Sequence, residues 1–380
     1  MLKMLLQYPI LVFLPFLFLL LGCLSWLLQS RTSKYHVAGS SLHFIRPWDF
    51  FGILNLLEAS SDVLQHKHLE KSAERFKHVS NTYQTWVKGT KTIFTCDERI
   101  IQAVFQSRAS DFRLGTRRRQ AFFELLGNGI FFAEGHNWRT SRRQLRPSFS
   151  KECQKFANVL EEHVQDFLAA AQRKQESEGK VDLRPLFHSY TLDVFTHDFL
   201  GQSCHSLREM SEQTSREGFV FQQAYDACMK RVVEDFIVYP LGALRSQMEF
   251  RKNIQIVHDF LDEHINRVLQ ARQGPGSVLG KTAEDDQSIL EQLAELTQDK
   301  RELRSEILNL LFAGRDSTAS LLTNCFYFLA RKPHVWQALR DEIDQVDDQR
   351  LDAQKLKTLP YLQACLQECE SCFLPLRCQQ

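Results

Sequence analysis

Apolar positions recur at helical spacing along most of this chain and alternate in only one short region. Leu5 to Leu28 is apolar almost throughout and carries no charge. A stretch of that length crosses a hydrocarbon core of about 30 Å at about 1.5 Å per residue. It is longer than the apolar core of a signal peptide and no small-residue cleavage site follows it, so a retained transmembrane anchor is predicted over residues 1–30. Lys3 precedes the segment and Arg31 and Lys34 follow it, which places the body on the cytosolic side. Residues 31–60 show no strong period and read as a membrane-proximal linker, with Trp48, Phe50 and Phe51 as interfacial anchors. Ser61 to Val79 is charged and helical. Tyr83–Val87 and Thr92–Thr95 are β-prone and joined across Lys88-Gly89-Thr90-Lys91, which predicts a hairpin. Asp97 caps the helix that follows, through about Phe105.

Beyond the hairpin the pattern is helical. Phe156, Val159, Leu160, Val164, Phe167 and Leu168 form one stripe between Lys151 and Arg173, and His163 within it reads as a core-edge histidine rather than a ligand. Asp182–Phe199 is a further helix. Residues 217–268 hold two more, broken near Tyr239-Pro240-Leu241-Gly242, and 271–286 is a loop punctuated by Gly274-Pro275-Gly276. The longest helix runs from about Glu302 to Ala330, apolar at Ile307, Leu310, Leu311, Gly314, Leu321, Leu322, Cys325 and Leu329, and Pro333 stops it. Short helices over His334–Ile343 and from Leu359 to Glu368 follow. The fold class is mainly α with a small β-sheet.

Composition narrows the function without naming it. A chain of 380 residues with 43% hydrophobic and 24% charged residues is globular, and a net charge of +1 gives no general attraction to nucleic acid. The ten cysteines are scattered, and Cys369 and Cys372 lack a second pair or a histidine at zinc spacing, so no metal ligand set is predicted and a reducing compartment is expected.

Two constellations carry candidate chemistry. The long helix contains Ala313-Gly314-Arg315-Asp316-Ser317-Thr318. Ala313 and Ser317 are four apart and share a face, with Gly314 beside them. Two readings stay open for this patch: a small-residue crossing point between packed helices, or a place where something flat and large approaches the backbone, with Asp316 and Ser317 relaying protons to it. The second constellation is Trp138 and Arg142, four apart in a basic helix. They make either a cation–π pair on a surface or a carboxylate clamp built from a guanidinium and an indole N–H. Arg139, Arg143 and Arg146 lie on the other faces of that helix and suit an acidic redox partner. Arg117, Arg118 and Arg119 read as a solvated face or a phospholipid contact.

The Ala-Gly-x-Asp-Ser-Thr run, flanked by Leu310-Leu311-Phe312 and Ala319-Ser320-Leu321-Leu322, resembles the oxygen-activation motif of the cytochrome P450 family, in particular its fungal alkane and fatty-acid hydroxylase branch. Trp138-x-x-x-Arg142 resembles the family's haem-propionate motif, and Leu126-Gly127-Asn128-Gly129-Ile130-Phe131 resembles the same branch. The resemblance implies a cytochrome P450-like helical fold with a small sheet, anchored in the endoplasmic reticulum membrane. It implies haem iron as cofactor, NADPH acting only through a reductase, and hydroxylation of an apolar substrate such as an alkane or fatty acid with O2. It gives Asp316 and Ser317 proton delivery, Ala313 and Gly314 room for the macrocycle, and Trp138 and Arg142 a propionate. Ser317 stands where the family usually has Thr, but the hydroxyl survives. Glu368 matches the Glu of the family's Glu-x-x-Arg, whereas Ser371 stands where the Arg belongs. From residue 369 the match is lost, and neither Cys372 nor Cys378 has the glycines of the family's haem-thiolate loop. The sequence therefore predicts the N-terminal portion of a P450-like domain over 61–368, incomplete at its C-terminus, followed by an aberrant tail over 369–380, without a haem-ligating cysteine and inactive on its own. A haem-free, membrane-anchored binding protein or pseudoenzyme is the alternative.

Overall fold

The computed structural model describes residues 42–65, 67–150, 154–209, 217–238, 245–273, 287–346 and 353–373. The predicted anchor, the start of the linker, the break at 239–242, most of the 271–286 loop and the last seven residues lie outside the described residues. Among those described, no helix is long and apolar enough to cross a membrane. The chain divides into two compact units, Met1–Phe112 and Arg113–Gln380, so the division falls inside the 61–368 span read as one domain.

In the first unit, β1 (His43–Ile45), α1 (Ile53–Leu64), α2 (His68–His78), β2 (Thr82–Val87), β3 (Thr90–Thr95) and α3 (Glu98–Gln102) follow in order. The sheet order is β1-β2-β3, with β1 parallel to β2 and β2 antiparallel to β3. The hairpin turn is tighter than the spacing predicts: Val87 pairs with Thr90, leaving only Lys88 and Gly89 between the strands, with φ of 50° and 73°. Two positive φ values match the twist of a two-residue primed turn. Asp97 caps α3 as predicted, accepting from Arg99 N at 2.9 Å, and a π-turn over Ala103–Ser107 continues it.

The part of the expected linker that is described is structured. Asp49 accepts from Ile53 N and Leu54 N, each at 3.0 Å, and so starts α1, while β1 joins the sheet edge. A cap and a three-residue edge strand leave no hydrophobic period, which is why the sequence reads as a linker there. Gly52 is required by close approach: a Cβ there meets Trp86 O at 2.3 Å.

The second unit is helical: α4 (Thr116–Leu126), α5 (Gly135–Ser150), α6 (Gln154–Glu178), α7 (Leu183–Leu200), α8 (Ser206–Glu209), α9 (Glu217–Val238), α10 (Met248–Gln273), α11 (Ile289–Leu296), α12 (Lys300–Arg331), α13 (Pro333–Asp344), α14 (Ala353–Lys357) and α15 (Pro360–Phe373). Its 32-residue axis, α12, is about 48 Å long at about 1.5 Å per residue. Asp299 caps it, accepting from Arg301 N and Glu302 N, and Pro333 opens α13 immediately after it. The first half of α12 forms one core with α4, α7, α9, α10 and α11, through Leu303, Ile307, Leu308 and Leu311 against residues such as Leu125, Leu192, Tyr225, Leu261 and Leu290. The unforeseen α11 is fixed by a capping box between Ser288 and Glu291.

Candidate functional site

The patch Ala313–Ser317 lies where α12 leaves that core. Leu310 and Leu311 are buried, Ala313 and Gly314 are half-buried, and Ser317, Thr318 and Ser320 are exposed. Of the two readings left open by the sequence, the small-residue crossing point is seen at Gly314. Gly314 faces α7, where a Cβ would meet Phe195 Cζ at 2.5 Å and Cε1 at 2.7 Å. The space beside Gly314 on the α7 side is therefore filled by Phe195, while Ala313 and Ser317 line the more open side. Ser317 Oγ donates to Ala313 O at 2.6 Å, so its hydroxyl is folded back on the helix one turn below.

Asp316 turns toward α7 and α9. Its Oδ1 accepts from Arg315 Nη1 at 3.1 Å and lies 3.4 Å from His188 Nδ1. Burial pushes this carboxyl up, but the hydrogen bond from His188 and the charges of Arg315 and His188 outweigh burial and hold it below the usual carboxylate range. Arg315 is itself 1% exposed. Its Nη1 also donates to Asp226 Oδ1 at 2.5 Å, and its guanidinium lies 5.4 Å from the centre of the Tyr225 ring. Burial lowers its affinity for the proton, and Asp226 more than restores it. The carboxylate is thus ionised, clamped and directed away from Ser317.

Two polar residues in the buried half of α12 were not singled out by the sequence. Glu306 Oε2 accepts from Ile130 N at 3.1 Å and is also bonded by the Ser141 side chain of α5. Asn309 Oδ1 accepts from Phe131 N at 3.0 Å, while its Nδ2 donates to Leu126 O at 2.9 Å and Ser305 O at 2.7 Å. Together they bolt the Gly127–Phe131 loop to α12. The glycines of that loop allow the approach, since a Cβ at Gly129 would meet Asn309 Nδ2 at 2.5 Å and Ser305 O at 2.7 Å. Burial pushes the Glu306 carboxyl above its ordinary value. The signal was available: a Glu and an Asn three apart in an otherwise apolar stripe need internal partners.

Trp138 and Arg142 meet on α5, the guanidinium 5.3 Å from the centre of the indole. Both are exposed, and among the described residues Arg142 meets no carboxylate. The Ser141–Glu306 bond ties their helix to α12 seven residues before Ala313. Glu368 is exposed on α15, whose first turn is held by Glu342, accepting from Tyr361 N and Leu362 N at 2.8 Å each. A cavity of about 680 Å³ lies beyond the patch, between the start of α7, the far half of α12 and α13, lined by Leu183, Thr323, Phe326, Tyr327 and Trp336.

The family description for cytochrome P450 matches residues 43–369. The chain belongs to the cytochrome P450 family. Cytochrome P450 52A12 of Debaryomyces hansenii is 34% identical over 309 residues, covering 78% of this chain and 58% of that protein. Cytochrome P450 monooxygenase himC of Aspergillus japonicus is 32% identical over 331 residues, covering 86% and 58%. The crystal structure of the cytochrome P450DA heme domain superposes with a TM-score of 0.66 at 19% identity, over 87% of this chain and 70% of that one, which supports the fold alone. This cytochrome P450 chain spans a little under three-fifths of the length of the first two relatives.

Membership implies haem iron, and the described residues fit its distal side. The small side chains of Ala313 and Ser317 face an open side, and Arg142 offers an uncommitted guanidinium suited to a carboxylate. Burial pushes Cys204 well above the ordinary thiol value and Cys228 up to about 12, so both are thiols in the haem-free chain.

Proposed function

We propose that this chain belongs to a membrane-anchored monooxygenase that hydroxylates an apolar, long-chain substrate such as an alkane or fatty acid. In that reaction one atom of O2 enters a C–H bond and the other leaves as water, with two protons and two electrons supplied; the electrons originate in NADPH and arrive through a reductase. The observation that carries the reading is the pairing, on one turn of α12, of a clamped and ionised Asp316 with a Ser317 hydroxyl on an open small-residue face. Haem, when bound, supplies the activation of dioxygen.

The roles proposed for the chain's own residues follow from where they sit. Arg142, steadied by Trp138, binds a propionate carboxylate. Ala313 lets a flat group approach the backbone. Ser317 Oγ carries a transferable hydrogen, and rotation about its Cα–Cβ bond moves that hydrogen from Ala313 O to the open side. Asp316, ionised, holds negative charge one residue away, and the proton that Ser317 gives up is replaced from solvent on the open side. Ser317→Ala in the haem-loaded protein should lower product formed per O2 consumed by about tenfold or more, since a positioned proton donor is worth about that much or more; unchanged coupling would remove Ser317 from the mechanism.

The decisive test is on the message. Reading the transcript from the Tyr361 codon to its stop is expected to restore an Arg at the position of Ser371 and a haem-thiolate loop downstream. A message that ends after Gln380 contradicts catalysis and leaves the haem-free binding protein as the account.

A further inference from the structure

The polar knot where α6 meets the corner between α7 and α8 is unused by any of this chemistry. His163 on α6 is 0% exposed. Its Nε2 lies 3.1 Å from Nδ1 of His197 on α7, the rings 5.3 Å apart at 80°. The His205 ring, from the corner before α8, lies 6.3 Å from His163, and its buried Nδ1 has no hydrogen-bond partner; nor has His163 Nδ1. Three imidazoles from three segments therefore meet around the fully buried His163. Among the described residues no three His, Cys, Asp or Glu are arranged to hold a metal ion, which leaves protons as the species the knot can exchange.

We propose that the His163–His197 contact is a pH-sensitive clasp that holds α6 to the α7–α8 corner near neutral pH and releases it on acidification. The geometry sets the rule. A 3.1 Å contact between two ring nitrogens needs one hydrogen, shared as N–H to N. When the acceptor nitrogen is protonated, two N–H groups face each other and one must move.

The groups facing His163 do not offset this. On α6, Asp166 Oδ2 is 3.7 Å from His163 Nδ1, but both of its oxygens already accept from Arg208 Nε at 2.9 Å. On α7, Asp193 is occupied by Ser206 N at 2.6 Å, Leu207 N at 3.0 Å and the Cys204 thiol at 3.2 Å. Glu162 is 4.0 Å from His197 Nδ1 and 3.6 Å from Arg208. Burial accordingly lowers the basicity of His163 despite its acidic neighbours. Its folded form binds the proton less tightly than its unfolded form, so the clasp is intact above the ordinary histidine range and weakens as pH falls below it. The opposite face of α7 carries His188 and Phe195 against Asp316 and Gly314, so the clasp backs the helix that supports the α12 patch.

Hydrogen exchange of the full chain, corrected for intrinsic chemistry, tests the clasp at pH 7.5 and pH 5.5 and needs no haem. Protection in residues 158–166 and 203–208 should fall by up to about tenfold, the limit set at pH 5.5 by an ordinary histidine value of about 6.5. In His163→Leu, which cannot take a proton, protection there should not change with pH. In His197→Gln, whose amide oxygen accepts from a protonated His163, the fall should shrink. Equal falls in the wild type and His197→Gln, or no fall in the wild type, overturn the proposal, and this arm decides even where His163→Leu does not fold.

Discussion

The two halves of α12 are one continuous helix with opposite surroundings. From Glu306 to Leu311 it is enclosed, and its polar residues are spent on the chain itself: Glu306 on Ile130 N and Ser141, Asn309 on Phe131 N and Leu126 O. From Ala313 onward it opens, and its polar residues are either folded back, as Ser317 is, or clamped from behind, as Asp316 is. Two carboxylates ten residues apart illustrate the difference. Burial pushes Glu306 up, whereas His188 and Arg315 pull Asp316 down against burial. The first half is a keel; the second has the composition of a working face.

The largest effect should come from cutting the keel. Asn309→Leu leaves Leu126 O and Phe131 N buried without a partner, at about 1–3 kcal/mol each, and should cost about 3 kcal/mol or more by denaturant unfolding. A loss below about 1 kcal/mol would mean the loop is held by other contacts. Next is the crossing point. Gly314→Ala drives a methyl into the Phe195 ring and should cost about 1–3 kcal/mol, partly recovered in Gly314→Ala/Phe195→Leu; strict additivity of the two changes would break the contact argued here.

The two carboxylates separate the halves by sign. Glu306 binds its proton more tightly folded than unfolded, so the stability it contributes is full below the ordinary glutamate value and is lost as pH rises through the raised folded value. Glu306→Gln should remove that loss and leave the neutral-pH protein as stable or slightly more so. Asp316 is the reverse: its contribution is present above about 3.9, the ordinary aspartate value, and is lost as pH falls through the lowered folded value. Asp316→Asn should flatten the stability profile there. Unfolding free energies measured from pH 3 to pH 7 read both, and slopes of the same sign would contradict the assignment. The smallest effect belongs to Arg142→Ala. An exposed cation–π pair is worth about 0.5–1 kcal/mol, so stability should barely move while haem binding weakens.

How much of this could be read from sequence depended on the range of the contact. The α12 pattern, the Asp97 cap and the hairpin are local, and the periodicity carries them. The family is legible because Ala313–Thr318 and Trp138–Arg142 are contiguous or one turn apart. Glu306 and Asn309 find partners about 180 residues away, and no local pattern names the partner. His163 reads as a core-edge residue because a lone histidine in an apolar stripe gives no hint of His197, 34 positions on. At Gly314 the small residue was legible, but which neighbour filled the space was not, since that depends on the phase of α7 against α12.

The measurement closest to the central claim is hydrogen exchange along α12 with and without added haem. If the second half is the working face, exchange over residues 313–324 should slow on haem addition, and Arg142→Ala should weaken that change. Residues 302–311 should already be protected and stay as they were. Protection that rises equally in both halves, or in neither, would contradict the division of α12 into keel and working face.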